Sequence, residues 1–446
     1  MSKHVVFRRG GALSKARRRY RGHEQGMALV LTLFVVALVT VLVLEYHFDA
    51  AVEIDLAMNY ANDVQAYHLA LAGVRFAQAL LEQDDPAVDG PDDSWYKLGL
   101  VPACFAPQQL LELATAGLGE GLPTAGLDTK VSANRRIEEA SQGDVGCVTL
   151  RITDENSKLP VNALMPQSSA DDQQPPKMWH DIFQQFFESF KIDAEVIGAL
   201  VDWIDPGDNA RSAGGAEKAY YMSLPVPYVP PNKPMRTPGE LRLVKGLNDL
   251  ETLAKLFPGV TPEAVADLDI GNNHYLTPFG GEQNQSSTSP PTTGGSPSKG
   301  QGASSSPTTG GSPSKGQGAS PQGNQFGSWV NVNTASAEVL TALIAGVQTG
   351  NSAAASVVQD IRAKRQEKQF KNLTEAVQGT NLGSALNSVA DVKSTHFRVE
   401  SVGVVGVVQK KIVAVLKRNQ QRANPTNQTN STSQPGQFTM LYFKVE

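Results

Sequence analysis

An uninterrupted apolar stretch near the N-terminus constrains this 446-residue chain more than any other feature. From Met27 to Leu44 the sequence has no charged residue, and Glu45 ends the stretch. About 18 apolar residues are just enough for a helix to cross a bilayer. The basic residues lie before the stretch, so the positive-inside rule puts the N-terminus in the cytoplasm and everything after Glu45 on the outer side. These basic residues are Arg17, Arg18, Arg19 and Arg21.

A small residue stands directly before the apolar stretch rather than after it. A secretory signal peptide is cut beyond its apolar core, whereas here Gly26 separates the basic arm from Met27. This arrangement resembles the leader of type IV pilins and pseudopilins, in which a membrane peptidase cuts after the glycine and methylates the new first residue. The resemblance implies that Met27 begins the mature chain; an uncleaved signal anchor is the alternative. Leu31 stands where most members of that superfamily have a glutamate.

Length, charge and cysteine content limit the rest of the chain. A chain of this length exceeds one compact core, so two domains and an anchor are expected. The net charge of −5 understates the acidity of the part after the basic arm, and nothing indicates a nucleic-acid-binding surface. Cys104 and Cys147 both fall on the outer side, where a disulfide between them is expected. Two unpaired buried thiols are the alternative.

The pattern of apolar residues predicts an α+β fold. One helix runs from about Met27 to Glu82, with a lipid-facing first half and a second half whose stripe, starting at Val52, is buried against a domain. Strands at 148–153, 396–405, 407–416 and 438–445 form an antiparallel sheet on this helix, and the turn after residue 153 predicts a hairpin with residues 158–162.

A large helical region interrupts this plan. The predicted order is a basic leader at 1–26, a transmembrane helix at 27–44, and the first part of the head at 45–164. A mostly helical inserted domain follows at 165–280, and its second part occupies 326–394. Between them, residues 281–325 form a Ser/Thr/Pro/Gly linker in which a 14-residue sequence occurs twice, too polar to fold. Residues 395–446 return to the head as its last strands.

One acidic cluster is a candidate metal site. Asp205 and Asp208 lie in a turn just after a predicted helix, and a loop that returns Glu217 to this turn would gather three carboxylates around one cation. Oxygen ligands on a flexible loop suit calcium better than magnesium or zinc. A solvated acidic turn is the alternative.

Segments spread over nearly the whole chain resemble the K family of minor pseudopilins from type II secretion systems (GspK). They are the leader at Gly26, with Leu31 in place of the glutamate, and the segments 152–164, 202–205, 214–221, 236–246 and 330–340. The resemblance implies a pseudopilin head carrying a large inserted helical domain. It also implies structural calcium at Asp205, Asp208 and Glu217, with Asp202 possible as a further ligand, and no enzymatic activity.

The resemblance further implies a place in the cell and a set of partners. The chain would be a single-pass protein of the bacterial inner membrane, with its N-terminus cytoplasmic and its bulk periplasmic. It would sit at the pseudopilus tip and nucleate assembly with other minor pseudopilins, for export of folded proteins across the outer membrane. Further partners would be the prepilin peptidase, the inner-membrane assembly platform and secreted substrates, but no nucleic acid.

Two functions from other classes remain as alternatives. Predicted helices at 335–344 and 353–368 have the outline of a helix-hairpin-helix DNA-binding unit, but they lack its tight glycine hairpin. A membrane-anchored hydrolase built on the acidic cluster is the other, although no nucleophile and base stand out among seven histidines.

Cleavage after Gly26 gives the first testable prediction. The intact-mass spectrum of the membrane-extracted chain should correspond to a polypeptide that begins at Met27 and carries one methyl group. Intact Met1 in cells that contain an active prepilin peptidase would contradict cleavage. The same cells lacking the peptidase serve as the control and should retain Met1.

Overall fold

The structure is a computed structural model of the chain. It describes residues 16–99, 104–115, 146–166, 175–210, 214–266, 268, 271, 273, 275–280, 329–348, 354–419 and 438–446. The predicted linker at 281–325 and the first 15 residues of the predicted leader lie outside the described residues.

A long N-terminal helix, α1, spans Ala16–Glu82. It begins before the predicted start near Met27, because residues 16–25 contain no proline and include several arginines, which favour helix. Its most apolar 18-residue window has a mean hydropathy of 3.0 and is fully exposed, so this helix is long and apolar enough to cross a membrane. Gly26, Met27 and Leu31 all lie on it, and the Leu31 side chain is exposed.

The C-terminal half of α1 carries a five-stranded antiparallel sheet, which confirms the predicted arrangement. Its strand order is β1-β2-β7-β8-β9. Strands β7 and β8 are joined by a two-residue turn in which Gly406 has a φ of +57°, a conformation that favours glycine. The strands are β1 (Cys104–Phe105), β2 (Cys147–Asp154), β7 (His396–Val405), β8 (Val408–Arg418) and β9 (Phe438–Val445).

Close contact between α1 and the sheet depends on small residues. A Cβ on Gly403 would lie 2.0 Å from the carbonyl oxygen of Ala66, so only glycine allows β7 to approach the helix this closely. The predicted buried stripe was wrong in its first part: Val52, Leu56 and Tyr60 are exposed. The reason is that the first fully buried residue of α1 after Glu45 is Ala66, and the first contact that joins α1 to the sheet by an ion pair is Asp63 with Lys410 at 2.9 Å, so residues 45–60 extend beyond the head.

The head also contains the disulfide between Cys104 and Cys147, whose Cα atoms are 5.4 Å apart. It joins the edge strand β1 to the first residue of β2. Two short helices lie near it, α2 (Ser94–Gly99) and α3 (Pro107–Thr115).

The inserted region has a hydrophobic core of its own, separate from the core of the head. At its centre, the aromatic face of α4 packs along α9, and its side chains Ile182, Phe183, Phe186 and Phe187 are buried. The helices are α4 (Lys177–Ser189), α5 (Glu195–Ile204), α6 (Lys218–Met222), α7 (Leu250–Ala254), α8 (Pro262–Val265), α9 (Ala337–Gln348), α10 (Ala354–Glu367), α11 (Leu373–Ala376) and α12 (Gly383–Leu386).

The predicted hairpin after β2 was wrong. Beyond Asp154 the chain forms a 3₁₀ turn at Glu155–Ser157 and then β3 (Leu159–Pro160), which pairs in parallel with β4 (Leu276–Thr277). A second short parallel pair joins β5 (Val330–Asn331) to β6 (Ala390–Asp391). The other side of β2 is already paired with β7, so residues after the turn enter the inserted region instead of returning along β2.

Asp154, at the end of β2, connects the head to the inserted region. Its Oδ2 accepts hydrogen bonds from Ser394 Oγ (2.6 Å), Thr334 Oγ1 (2.5 Å) and Asn331 Nδ2 (3.2 Å), and its Oδ1 accepts one from the Asn156 amide (2.7 Å). Burial raises the pKa of the Asp154 carboxyl to about 6. Several polar segments of the chain therefore meet at one buried carboxyl.

A buried ion pair strengthens the same junction. Arg418, at the end of β8, donates to both oxygens of Asp89 at 3.0 and 3.1 Å and lies 3.3 Å from Asp84. Its guanidinium also packs over the ring of Phe397, 4.8 Å from the centroid. Asp89 accepts a further hydrogen bond from the amide of Ser394, 2.7 Å away.

His396, the first residue of β7, is a buried and neutral part of this junction. Its Nδ1 lies 2.9 Å from Thr395 Oγ1, and its ring stacks on Phe279. Burial, with a smaller contribution from Lys417, lowers the pKa of His396 to about 3. Protonation of this ring therefore opposes the folded state.

The second prediction follows from this shift. The pKa of His396 is lower in the folded state than in the unfolded state. Its favourable contribution to the free energy of unfolding is therefore present above pH 6.5 and is lost as the pH falls. Relative to His396→Phe, the detergent-solubilised chain should lose about 1–2 kcal/mol of unfolding free energy between pH 7.5 and pH 5. Thermal melts of the two proteins measure this difference, and it should stay constant between pH 8 and 9. A difference that is unchanged at pH 5 would contradict the assignment.

Candidate metal site

Helix α5 places the first acidic residue of the candidate site. It is apolar over most of its length and buries Val196, Leu200 and Ile204 in the core of the inserted region. Asp202 lies on the same helix and is fully buried. A buried carboxylate needs compensating partners, so its presence in the last turn of an apolar helix marks a polar site.

The turn after α5 carries the next two acidic residues. Asp205 caps the helix: its amide bonds the carbonyl of Val201 at 2.9 Å, and its Oδ1 accepts from the Gly207 amide at 2.8 Å. Asp205 is fully buried, whereas Asp208 is exposed. The turn thus holds one carboxylate inside and one at the surface.

Glu217 returns to this turn at the start of α6. It is only 6% exposed, and neither of its carboxylate oxygens accepts a hydrogen bond of normal geometry. Burial, with smaller contributions from the negative charges of Asp202, Asp205 and Asp208, raises the pKa of Glu217 to about 7. The fold therefore brings all four sequence-predicted residues into one electrostatic cluster.

Asn232 is a site residue that the sequence analysis missed. Its Nδ2 donates to the Gly207 carbonyl and to Asp208 Oδ1, the latter at 3.1 Å. Its Oδ1 is buried and accepts no hydrogen bond. Its φ of +45° is a strained value for most residues but one that asparagine tolerates. The available signal in the sequence was an asparagine among four prolines at 227–234, because asparagine tolerates positive φ values.

Aromatic and capping interactions stabilise the end of α5, which carries Asp202. Trp203 packs edge-on against Tyr221, and its Nε1 donates to Glu240 Oε2 at 3.2 Å. Glu240 also accepts from the amide of Thr237 at 2.9 Å, in a capping box at the start of the 3₁₀ helix Pro238–Leu243. These contacts hold the end of α5 in place.

The arrangement has the chemistry of a calcium site. The buried oxygens of Glu217 and Asn232 accept no hydrogen bond of normal geometry and lie beside three further carboxylates, so the side chains there offer oxygen ligands. Several oxygens, most of them charged, are what calcium prefers. A divalent cation would also remove the mutual repulsion that raises the pKa of Glu217. The residues present therefore fit the ion.

A second acidic group has a different explanation. One oxygen from each of Asp84, Asp89 and Asp93 lies within 4.8 Å of the others. Arg418 already supplies positive charge there through its contacts with Asp84 and Asp89. This group belongs to the junction between the head and the inserted region.

The helix pair considered for DNA binding is used in packing. Helix α9 buries Val339, Leu340, Leu343 and Ile344 against the rest of the inserted region. The apolar face of α9 is therefore part of the hydrophobic core of the inserted region.

Two family models match the chain, one at residues 157–262 and the other at residues 330–400. Both are described as type II secretion system, protein K. The first contains the whole candidate metal site, and the second contains Asn331, Thr334 and Ser394 of the Asp154 network.

Curated relatives carry the same description. A type II secretion system protein K of Pectobacterium carotovorum is 32% identical over 143 residues, which are 30% of this chain and 42% of that protein. Those of Pseudomonas aeruginosa and Klebsiella pneumoniae are each 24% identical, over 50% and 56% of this chain. The match spans 42% to 66% of the length of these relatives.

A solved structure is also similar over much of the chain. It is the GspK-GspI-GspJ complex from the type 2 secretion system of enterotoxigenic Escherichia coli, with a TM-score of 0.46 and 14% sequence identity. The similarity covers 90% of this chain and 99% of the matched one.

Proposed function

We propose that this chain, which belongs to the type II secretion system protein K family, acts as a minor pseudopilin of such a system. The observation that carries the proposal is the order of its parts. One apolar helix continues into a head, and the two segments matched by the family models lie in and beside the domain inserted in that head. This is the plan of an anchored filament subunit, and we assign it a structural role rather than a catalytic one.

The anchor determines the proposed location. In the part of the chain that the structure describes, one helix can span the membrane, and a basic arm precedes it, so we place the chain as a single-pass protein of the bacterial inner membrane. Its head and inserted domain then lie in the periplasm, where the Cys104–Cys147 disulfide is stable. In this proposal the prepilin peptidase cleaves after Gly26 and methylates Met27.

Leu31 supports a position at the tip of the pseudopilus. In related filaments, the glutamate at this place is thought to pair with the N-terminal ammonium of a subunit already assembled. A subunit with no neighbour ahead of it would leave that carboxylate unpaired in an apolar setting, which is costly. A leucine avoids this cost.

The inserted domain supports the same position. The described part of the inserted region adds a second hydrophobic core to that of the head, and subunits stacked above it along a filament would clash with this bulk. At the tip there is no subunit above. The proposed role is therefore to nucleate a short pseudopilus with other minor pseudopilins on the inner-membrane assembly platform, for the export of folded proteins.

The third prediction tests this role in a bacterium that carries the chain. Deleting the gene should impair secretion and alter the length or number of pseudopili. Leu31→Ala should restore secretion, whereas Leu31→Glu should restore it poorly, because it introduces a carboxylate that has no partner. Secretion assays and electron microscopy of labelled chain measure these outcomes. Label along the whole filament, or normal secretion after deletion, would refute the role.

Calcium at the acidic loop is a further part of the proposal. Asp205, Asp208 and Glu217 would hold the ion, Asp202 would be a further ligand, and Asn232 would add an amide oxygen from a separate segment. Calcium binding is supported by the buried side-chain oxygens of Glu217 and Asn232, which accept no hydrogen bond of normal geometry. The ion would stabilise the loop and take no part in any reaction.

The fourth prediction is a calcium-dependent melting temperature. Binding to the folded state alone stabilises it, by about 2.7 kcal/mol at a calcium concentration 100 times the Kd. The detergent-solubilised chain should therefore melt higher in calcium than in chelator. Asp208→Ala and Asn232→Ala should reduce the difference, whereas Asp360→Ala, an exposed residue of α10, should leave it unchanged. An equal melt in both conditions, or a shift that survives Asp208→Ala, would leave only a solvated acidic turn.

A further inference from the structure

An exposed proline-rich segment lies directly beside the acidic loop. We call residues 222–231 the proline ridge; its sequence is Met-Ser-Leu-Pro-Val-Pro-Tyr-Val-Pro-Pro, without a charged residue. The side chain of Val226 is 78% exposed and that of Val229 is 55% exposed. Met222 is exposed as well, and so are three of the four prolines. Exposed apolar side chains grouped in one short segment mark an interaction site.

The ridge is held at its centre and at its end. Tyr228 points inward: its hydroxyl donates to the Leu243 carbonyl at 2.6 Å, and its ring packs 5.2 Å from that of Tyr221. Pro230 is buried, and Asn232 fixes the end of the ridge to Gly207 and Asp208. The exposed valines on either side of Tyr228 are therefore presented by a segment that is already ordered, which lowers the entropy cost of binding.

The backbone of the ridge excludes some kinds of partner. Four residues between positions 225 and 231 are prolines and have no amide hydrogen, so the segment cannot serve as a pairing strand. It cannot become a helix in a groove for the same reason. A lipid surface is disfavoured because the backbone carbonyls would have no donors in an apolar medium.

The remaining recognition mode matches the residues present. Prolines, and the residues that precede them, favour extended polyproline-type backbone, and residues 227–231 contain no helix, strand or turn. Grooves lined by aromatic side chains bind such segments, with rings against the prolines and side-chain donors to the carbonyls. We infer that the proline ridge docks into an aromatic-lined groove of a partner protein, and that Asn232 ties this surface to the acidic loop.

The expectation that the partner belongs to the secretion assembly rests on the proposed function. The docking of the proline ridge itself does not depend on it. A photoreactive benzoylphenylalanine at Val226 in the full-length chain, illuminated in living cells, should crosslink to one protein. Peptide mapping should find the crosslink in a segment of that protein with at least two aromatic residues. The matched control is Val407, a valine 91% exposed in the β7–β8 turn of the head, which should not crosslink to the same protein.

A second-site change tests the energetic role of the ridge. With the probe at Val226, Val229→Asp should lower the crosslink yield about tenfold, as expected for a residue at the centre of an interface. Val407→Asp should leave the yield unchanged. All the substituted side chains are exposed, and an unchanged melting temperature verifies that each variant folds.

Other outcomes would overturn the inference. They are the absence of any crosslink, crosslinks only to lipid, equal yields from Val226 and Val407, or a mapped partner segment without aromatic residues. A deletion strain with normal secretion would instead refute the proposed function, and the crosslink would still report on the ridge. The two failures are therefore distinguishable.

Discussion

The fold depends on the solvation of one carboxyl group, that of Asp154. A carboxyl removed from water costs several kcal/mol unless hydrogen bonds replace the lost solvent. Here the replacements come from Asn156 on the following turn, from Asn331 and Thr334 after the linker, and from Ser394 just before β7. The satisfied carboxyl therefore requires that the inserted region start and finish at the same point of the head.

This requirement explains what two segments of the sequence do. Residues 152–164 and 330–340 supported the family resemblance, but their pattern did not reveal their role. In the structure Asn156 accepts hydrogen bonds from the amides of Thr395 and His396, both at 2.9 Å, and Asn333 binds the backbone of Phe370 through its amide group. These are structural contacts between segments that are distant along the chain. Asn156 therefore connects the head to the end of the inserted region, and Asn333, whose Nδ2 also donates to the Asp89 carbonyl at 3.3 Å, connects the inserted region to the head.

Local patterns predicted the elements well and the long-range contacts poorly. The strands at 396–405 and 438–445 were confirmed at their predicted bounds because alternation and tight turns are local signals. The hairpin after β2 was wrong because the partner of Leu159 is Leu276, more than a hundred residues away. Asn232 was missed for a similar reason. Its contribution to the acidic loop depends on the path of the proline ridge, which no local period encodes.

A junction made of polar contacts has a consequence that an apolar one would lack. Apolar surfaces tolerate sliding because their attraction is non-directional, whereas a network of hydrogen bonds is satisfied in only one relative orientation. The Asp154 network and the hydrogen bond from Ser394 to Asp89 therefore fix the angle between the inserted region and α1. In the proposed function, that angle carries the acidic loop and the proline ridge to a set position relative to the membrane helix. A tip subunit needs this property, because the position of its head relative to the helix sets where the next subunits can join.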